Sequence, residues 1–393
     1  MKKSFWGLLK ITGLVLAVML VILFNSGYAQ LDSRSEILIP DILGYQTMKC
    51  DFHLHTVFSD GTVWPPVRVQ EAWSEGLDAI SISDHLEYLP HKQDLVSDHN
   101  RSYEIARAAA EELGIILIRG CEITRPMPPG HFNAIFIEDA NTIHQEDWRD
   151  AIKAANAQGA FIFWNHPGWK AQAPDGAKWL PEHSELFEKK FFQGIEIVNF
   201  YDYYPTVHKW ALDKNLTMVG NSDSHNPTAY EHDFEKGEHR PMTLVFAEAR
   251  TAQAIKQALL ERRTAVYFEN KLIGEQKYLQ PIFKAAVKIQ NKEISIRGKG
   301  RASLQIHNNS DLTFELSAIK TLSELTFSER LTLPARKTTI LQLKGTADNV
   351  AESKNIELPY QVENLLIEPG KGLPISLPVR VNFIAAEKQK MEY

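Results

Sequence analysis

The sequence predicts a two-domain α/β protein in which a (β/α)7 barrel precedes a small antiparallel β-sandwich. Short apolar runs alternate with helical patterns along the first part of the chain, which is typical of parallel βα units. The composition then changes, because thirteen of the 14 histidines lie before residue 240 and no tryptophan follows Trp210. A chain of 393 residues is long enough for two domains.

Seven short apolar segments of the first part are predicted to be strands. They span residues 48–52, 79–82, 115–118, 132–137, 160–164, 195–198 and 216–219. Helical patterns lie between and after them, at residues 65–75, 102–113, 146–158, 184–191, 206–215 and 252–262. Seven such units favour a barrel with its active site at the C-terminal ends of the strands. We place this domain at residues 45–275.

The second part, residues 279–387, has the pattern of a small β-sandwich. Its segments alternate polar with apolar residues and are separated by turn residues such as Pro369-Gly370. The predicted strands span residues 286–290, 293–297, 303–307, 313–318, 338–344 and 375–383. We find no catalytic constellation in this part and interpret it as a stabilising or docking module whose partner is unknown.

Residues 1–29 have the three-part organisation of a secretory signal peptide. Three lysines lie among the first ten residues, an apolar run follows at residues 11–24, and Gly27, Tyr28 and Ala29 end the segment. This order predicts cleavage after Ala29. The alternative is an uncleaved membrane anchor, but the apolar run is short for a membrane span. We therefore expect a secreted protein, most simply a periplasmic one, without a stable membrane span after cleavage.

The mature chain is acidic. The signal segment contains three lysines and no acidic residue, so its removal changes the formal net charge from -6 to -9. A general nucleic-acid binder is expected to carry a basic stripe, and the sequence has none. We therefore expect a small-molecule substrate and no nucleic-acid partner.

The chain contains two cysteines, Cys50 and Cys121, which excludes a disulfide scaffold at this size. Each cysteine lies one residue before an acidic candidate for the site, Asp51 or Glu122. Because side chains alternate along a strand, both thiols should face away from that site. We predict that both cysteines are buried core residues.

The segment from Asp51 to Gly61 contains two histidines and two carboxylates. On an extended strand His53 and His55 point to the same side. Asp60 follows on a turn closed by Gly61, which can bring its carboxylate back toward the histidines. The segment is therefore a candidate for one part of a metal site.

Further histidines and carboxylates fall at or just after the other predicted strands, and Glu196 lies within one. Parallel barrel strands end at one mouth, so these residues can meet. Imidazole nitrogens and carboxylate oxygens suit Zn, Mn or Fe. Nine ligands are too many for one ion, so we expect two to three divalent ions. The candidate ligands are His53, His55, Asp60, His85, Glu122, His131, His166, Asp223 and His225.

Taken in order, these motifs resemble the PHP (polymerase and histidinol phosphatase) family of metal-dependent hydrolases. The resemblance covers residues 49–268. It rests on Asp-x-His-x-His with Ser-Asp-Gly, then Ser-Asp-His, Gly-x-Glu, Asn-His-Pro and Asp-x-His. It implies a distorted (β/α)7 PHP barrel, and secreted two-domain members with a C-terminal, Ig-like β-sandwich are similar to this chain in outline.

The resemblance also implies a trinuclear metal site. The first ion would be bound by His53, His55, Glu122 and Asp223. The second ion would be bound by Glu122, His131 and His166. The third ion would be bound by Asp60, His85 and His225. Asp60 stands where some members of the family have histidine.

The implied activity is metal-dependent hydrolysis of small phosphoesters, either monoesters or diesters. A water that bridges two ions loses a proton near neutral pH and becomes a nucleophile, while the ions stabilise the charge of the transition state. The same water could instead hydrolyse an amide or a lactone, and the fold does not decide between these bonds. The other alternative is a non-catalytic binding protein that retains its metals.

Four further residues are candidates for catalysis or substrate binding. Asp84 could act as a general acid or orient the neighbouring His85. Arg125 and Arg240 could each hold a phosphate in a fork, although a surface salt bridge is the simpler interpretation. Glu196 could line the substrate pocket or act as an outer ligand. Trp169, Lys170 and Trp179 follow His166 and could form an apolar wall.

Overall fold

The described part of the first domain has eleven strands, of which seven correspond to predicted strands. A computed structural model describes residues 33–96 and 98–386. The strands are β1 (Gln46–Leu54), β2 (Ala79–Ile82), β3 (Ile116–Ile123), β4 (Phe132–Ile135), β5 (Phe161–Trp164), β6 (Gly194–Asn199), β7 (Asp202–Tyr203), β8 (Thr217–Asn221), β9 (Met242–Ala247), β10 (Thr264–Phe268) and β11 (Lys271–Gly274). Strands β7, β9, β10 and β11 were not predicted. The predicted signal peptide, residues 1–29, lies outside the described residues.

Proline at the first position and glycine after the last position mark the ends of several helices. They are α1 (Pro65–Ser74), α2 (Arg101–Leu113), α3 (Trp148–Ala157), α4 (Pro181–Glu188), α5 (Pro205–Lys214), α6 (Thr228–Glu231), α7 (Ala252–Leu260) and α8 (Gln276–Ala286), with a 3-10 turn at Phe234–Lys236. Proline begins α1, α4 and α5, where its missing N–H costs no hydrogen bond. Gly114 ends α2 in the left-handed conformation. Within the described part of the chain, no helix is long and apolar enough to cross a membrane.

The barrel is distorted because its strands do not all run in one direction. Strand β9 is antiparallel to β1 and to β10, and β4 also runs against both of its neighbours. Strands β1, β2 and β3 are parallel to one another, and so are β5, β6 and β8. Strand β4 lies between these two groups and is antiparallel to both β3 and β5. The segment that joins β3 to β4 is too short for the crossover that a parallel pair requires. The prediction of parallel strands is therefore wrong for β4, while the predicted distorted barrel is confirmed.

The C-terminal domain is built from two sheets. Its strands are β12 (Val287–Ile289), β13 (Glu293–Arg297), β14 (Arg301–Asn308), β15 (Phe314–Ala318), β16 (Leu325–Thr326), β17 (Arg330–Leu333), β18 (Thr338–Gly345), β19 (Glu352–Glu368) and β20 (Lys371–Ile384). One sheet has the order β12-β14-β18-β16, and β19 and β20 form a long hairpin in the other. Apart from β13, which is parallel to β20, these pairs are antiparallel. The predicted β-sandwich is confirmed.

The two domains share a sheet and a hydrophobic core. Strand β11 pairs with β19 in parallel, with Leu272 opposite Leu365. Asn364 donates hydrogen bonds to the carbonyl oxygens of Asn270 and Thr313 at 2.6 and 2.8 Å. Residues from 36 onward accordingly belong to one compact unit. The predicted boundary near residue 275 falls at the start of α8.

Both cysteines are buried, free thiols, as predicted. Cys50 lies on β1 and Cys121 on β3, and their exposed fractions are 0% and 1%. Burial raises the pKa of each thiol well above its ordinary value. The reactive form of a cysteine is the thiolate, so these thiols are chemically quiet.

Candidate metal centre

Two histidines at the end of β1 point to the same place, as their spacing predicts. The Nε2 atoms of His53 and His55 lie 3.1 and 3.0 Å from one oxygen, Oδ1 of Asp223. Both imidazoles are fully buried. Asp223 follows β8 in the chain. The carbonyl oxygen of the next residue, Ser224, accepts a hydrogen bond from the His55 amide at 3.1 Å. Strand β1 and the segment after β8 therefore supply three donors to one point.

The carboxylate of Glu122 stands between two groups of imidazoles. Its Oε1 atom lies 2.8 Å from Nδ1 of His131 and 3.6 Å from Nε2 of His166. Its Oε2 atom lies 2.8 Å from Nδ1 of His85 and 3.4 Å from Nε2 of His53. Glu122 is fully buried at the end of β3. Its two oxygens can therefore serve two separate ions.

The position of His131 depends on the reversed direction of β4. His131 comes immediately before this strand, where a parallel strand would place it at the opposite end of the barrel. Because β4 is antiparallel to β3, its beginning lies beside the end of β3. His131 therefore reaches Glu122 at the common mouth.

Asp60 forms the outer side of the cluster. Its Oδ1 atom lies 3.2 Å from Nε2 of His225 and 3.4 Å from Nε2 of His85. The turn that carries it is tight, because a Cβ atom at Gly61 would lie 2.7 Å from the carbonyl carbon of His55. Only glycine fits at this close approach.

The structure brings all nine predicted ligands together in four overlapping groups. Within each group one donor atom per residue lies within 4.8 Å of the others. The groups are His55, Asp60, His85 and His225; His53, Glu122 and His166; His53, His55 and Asp223; and His85, Glu122 and His131. Of the ligand sets implied by the family resemblance, the third recurs whole, with His55 added to it. The group of His53, His55 and Asp223 lacks Glu122, and His131 and His166 lie with Glu122 in two separate groups.

Several donor atoms of the cluster are buried without a hydrogen-bond partner among the described residues. They are Nε2 of His55, Oδ1 of Asp60 and Nδ1 of His131. A buried polar atom that makes no hydrogen bond is costly unless another ligand satisfies it. Lone pairs of imidazole and carboxylate that converge in this way fit divalent ions such as Zn, Mn or Fe.

The electrostatics of the cluster keep its carboxylates ionised and divide its imidazoles into two groups. Burial alone raises the pKa of Glu122, but the neighbouring imidazoles, His85 foremost, hold it well below its ordinary value. The pKa of Asp223 is likewise held well below its ordinary value, because His53, His55 and His225 together outweigh the effect of burial. Burial and two neighbouring imidazoles lower the pKa of His55 to about 3. Although burial alone would lower them, neighbouring carboxylates hold the pKa of His53 well above its ordinary value and raise the pKa values of His85 and His225 to about 10 and about 9. Metal ions coordinate neutral imidazoles, so an ion that binds these three rings would displace their protons.

Comparison with known proteins agrees with this arrangement. A PHP domain model matches residues 51–193, and an Ig-like domain model matches residues 287–378. The chain is 48% identical to a two-domain protein of Bacteroides vulgatus that contains a predicted PHP-like metal-dependent phosphoesterase. The alignment with its crystal structure covers 88% of this chain and 99% of that one, with a TM-score of 0.84. The chain belongs to the PHP family.

Two further relatives are similar to parts of this chain. An uncharacterised protein of Methanocaldococcus jannaschii is 38% identical over 197 residues, which cover 46% of this chain and 83% of that protein. A 5'-3' exoribonuclease of Haemophilus influenzae is 33% identical over 78 residues, which cover 20% of this chain and 24% of the enzyme.

Two ligands of the PHP cluster have strained backbones. Asp223 has a φ of 53° and His166 has a φ of 30°, values that residues other than glycine rarely adopt. Such strain persists only where the surrounding structure fixes the chain. The backbones of both ligands are fixed in this way, since the Asp223 amide donates to the carbonyl oxygen of His53 at 2.9 Å and the His166 amide donates to Oε2 of Glu196 at 2.7 Å.

Glu196 supports the ligands and does not line a substrate pocket. It is fully buried on β6, and Oε1 is hydrogen-bonded to Nδ1 of His53 at 2.9 Å. It also accepts hydrogen bonds from Asn199 and Asn221 at 3.0 and 2.8 Å. A carboxylate behind a ligand imidazole fixes the ring and its tautomer. The placement argues against the predicted substrate contact and for the outer-ligand alternative.

The contacts of Asp84 differ from both predicted roles. Its Oδ1 atom accepts hydrogen bonds from the Thr56 amide at 2.7 Å and from the Ser59 hydroxyl at 2.8 Å, and Oδ2 accepts one from the Thr56 hydroxyl at 2.8 Å. The His85 ring instead contacts the Thr124 hydroxyl at 2.6 Å. Asp84 therefore fixes the turn that carries Asp60, and its occupied oxygens argue against a general acid.

The two predicted phosphate-binding arginines are engaged by the protein itself. Arg240 is fully buried and donates to Glu75 at 2.6 and 2.7 Å and to Asp51 at 3.1 Å. Arg125 pairs with Glu87 at 2.8 Å and donates to two carbonyl oxygens of residues 145–146. Both arrangements fit structural ion pairs and argue against a phosphate contact.

Aromatic side chains border the mouth of the cluster. Trp169 is 43% exposed, and its ring lies 5.3 Å from that of His166. Tyr88 is 54% exposed and lies 6.0 Å from His85. Trp179 instead packs into the core beside Trp164 at 5.9 Å. Of the two tryptophans in the predicted wall, only Trp169 reaches the site.

Sequence reasoning missed several residues that contact the cluster or its loops, among them Thr124, Gln172, Asn165 and Arg68. Asn165 donates to Oε1 of Glu122 at 2.9 Å, and the Asn-His-Pro motif was a signal for it. Arg68 is fully buried and binds the backbone beside the ligands. The sequence feature that could have identified Arg68 is its place beside Val69 on the apolar face of α1. Arginine is seldom fully buried unless its charge is paired.

Proposed function

We propose that this PHP protein hydrolyses small phosphoesters with the help of two to three divalent metal ions. The observation that carries the proposal is the buried carboxylate of Glu122, whose two oxygens face different groups of ligand imidazoles. A bridging carboxylate of this kind holds neighbouring ions close together, as two-metal phosphoester chemistry requires. The PHP fold and the donor cluster together support metal-dependent hydrolase activity.

The nine ligand residues supply the donor types that Zn, Mn and Fe accept. When bound, the ions polarise a phosphoryl oxygen and lower the pKa of bound water. The chain itself holds the donors in fixed positions: Glu196 orients His53, and Asp84 holds the turn of Asp60. Preorganisation of this kind stabilises developing charge without rearrangement during the reaction.

The surroundings of the cluster favour a small substrate. The mature chain is acidic, so a long polyanion would be repelled. Trp169 and Tyr88 stand exposed beside the ligand histidines and can contact an apolar or planar leaving group. We therefore favour a small phosphoester over a nucleic acid.

A matched pair of substrates tests the proposal. The protein is reconstituted with Mn²⁺ or Zn²⁺, its metal content is measured, and steady-state kinetics are recorded on an aryl phosphomonoester and the corresponding bis-aryl phosphodiester. Turnover of one ester that disappears on chelation supports the proposal and identifies the subclass. Absence of turnover of both esters by metal-loaded protein would contradict it. Amide or lactone hydrolysis, and then a non-catalytic binding role, would be tested next.

Substitution of a ligand provides the control for this assay. We expect His53→Ala to abolish turnover while the far-ultraviolet circular dichroism remains native, because the imidazole is buried inside the cluster. A matched substitution, His307→Ala, removes a histidine of the C-terminal domain on β14, far along the chain from the ligands. It should leave turnover unchanged.

We also propose that the protein acts after export, on the basis of the sequence of residues 1–29 alone. Cell fractionation with N-terminal sequencing of the mature chain tests this. A mature N-terminus at Gln30 in the periplasmic fraction is the expected result, and an intact N-terminus in the cytoplasm would contradict it.

A further inference from the structure

Arg68 is a buried cation that binds the backbone of two ligand-bearing segments. It lies on α1 with an exposed fraction of 0%. Its Nε atom donates to the carbonyl oxygen of His55 at 2.9 Å, and Nη2 donates to that of Ser224 at 3.0 Å. Nη1 donates to the carbonyl oxygen of Asn226 at 2.8 Å. One guanidinium therefore joins three carbonyl groups from two segments that lie far apart in the sequence.

These carbonyl groups flank the donors on the outer side of the cluster. The Ser224 and Asn226 carbonyls lie on either side of His225, and the first of them follows Asp223. The Thr62 amide donates to the His225 carbonyl at 2.8 Å and so fixes the turn of Asp60 to the same segment. The separation of Asp60 and His225, 3.2 Å between Oδ1 and Nε2, depends on how these two segments are held together.

Helix α1 and the adjoining Glu75 also bind Thr228, which follows Asn226 by two residues. Glu71, which pairs with Arg68 at 2.8 Å, accepts a hydrogen bond from the Thr228 amide at 2.9 Å. Glu75 accepts one from the Thr228 hydroxyl at 2.6 Å and binds Arg240. None of these groups contacts the donor atoms themselves. The helix therefore acts on the cluster only through the backbone.

We propose that Arg68 is a positioning residue that sets the affinity of the outer ion site formed by His55, Asp60, His85 and His225. The inference rests on the metal binding of the proposed function. It states that a residue which does not bind the ion, Arg68, affects how tightly the ion binds. Arginine is required because its planar fork reaches three carbonyl groups and a carboxylate at once, whereas a lysine offers one compact charge. The occupancy of the outer site should therefore respond to a substitution that leaves every ligand intact.

The test measures metal binding and does not depend on turnover. Metal-free full-length protein is titrated with Mn²⁺ by equilibrium dialysis, and bound ions per chain are counted by mass spectrometry. Arg68→Met and Arg68→Lys are compared with Val69→Ala. Val69 is the buried neighbour of Arg68 on α1, and its substitution weakens the core without changing the bonds to the loops.

We expect the dissociation constant of the most weakly bound ion to be at least about tenfold higher in Arg68→Met than in the natural chain. Loss of a group that orients a metal ligand typically has an effect of this size. Val69→Ala should keep the natural affinity even if its melting temperature falls. If Arg68→Met does not fold, Arg68→Lys decides, because it keeps the charge and should still lose affinity. Natural affinity in the folded arginine variants, or equal loss in Val69→Ala, would overturn the inference. Phosphoesterase activity could be absent without affecting this result, so the two proposals fail separately.

Discussion

Nδ1 of His53 and Oε1 of Glu196 are hydrogen-bonded at 2.9 Å, and neither side chain is exposed to solvent. This contact places the proton of the neutral ring on Nδ1 and leaves the lone pair of Nε2 facing Glu122 and Asp223. When the ring is neutral, Glu196 therefore favours the tautomer that a metal ion needs. Glu196 in turn is held by Asn199, Asn221 and the His166 amide.

Glu196→Ala should weaken metal binding without removing a ligand. Loss of the carboxylate frees the His53 ring to rotate and change tautomer, and such supporting groups are typically worth about 10- to 100-fold in metal affinity. Calorimetric titration of metal-free protein with Zn²⁺ measures the effect. Glu185→Ala is the matched control, because Glu185 forms a surface pair with Arg149. Equal affinity in the two variants would contradict the supporting role.

Removal of metal should destabilise the protein. Each ion that binds only the folded state adds about 2.7 kcal/mol at a free concentration a hundred times its dissociation constant. The melting temperature should therefore fall on chelation and recover when metal is added back. Differential scanning fluorimetry records both steps. In His53→Ala the same chelator should have a smaller effect, and an equal effect would show that the stabilising ions lie elsewhere.

His183 should make the protein less stable in mild acid. The ring stacks on Trp164 at 3.7 Å, accepts a hydrogen bond from the Leu180 amide and lies 2.8 Å from the Pro129 carbonyl oxygen. Burial lowers its pKa from 6.5 to about 4. Between these values the unfolded chain binds a proton that the folded chain does not, so the stability falls as the pH falls from 6.5 to 4 and is unaffected above this range.

The expected slope from this one group approaches about 1.4 kcal/mol per pH unit. Urea unfolding of the natural chain and of His183→Gln, at pH 7.5 and at pH 5.5, isolates it, because other titrating groups are common to both proteins. The stability difference between the two proteins should shrink toward pH 5.5. A difference that is independent of pH would show that folding does not change the pKa of His183.

The two domains should unfold together. Asn364 on β19 binds the backbone of Asn270 in the PHP domain, and its loss removes the side-chain donor of the partly buried Asn270 carbonyl group. Asn364→Ala should cost about 1–3 kcal/mol. No tryptophan follows Trp210, so tryptophan fluorescence reports on the PHP domain alone. A lower urea midpoint by fluorescence is expected. The control is Asn382→Ala on β20, a half-buried asparagine whose side chain binds only Ser353 and Glu293 of the C-terminal domain among the described residues. An unchanged midpoint would show that the domains unfold independently.

Much of the fold follows from local patterns in the sequence. All seven strands predicted for the PHP domain are present, and β13 has the predicted bounds, 293–297. The direction of β4 was not predictable from its apolar residues, because strand direction depends on the partner. Strand β19 was missed for a related reason: its seventeen residues include Pro359 and several charged residues, and the strand is stabilised by pairing with β11, β15 and β20.

The candidate site was likewise predictable in part. Strand ends and residue spacing were enough to select nine donors that the structure brings together. Their grouping was not predictable, because it depends on rotamers; His55, for example, reaches both Asp223 and the Asp60 group. The charged residues around the donors were misjudged, since a sequence does not reveal that Arg240 and Glu196 are fully buried and already paired.

The burial of Cys50 and Cys121 makes the folded protein indifferent to the redox state of its surroundings. The chain has no other cysteine, so it requires no disulfide isomerase and offers no thiol for cross-linking to a neighbour. Oxidants attack exposed thiolates first, and this protein presents none. The same folded protein would therefore tolerate a reducing or an oxidising environment, and a change in activity under peroxide would have to come from the metal centre or from methionine.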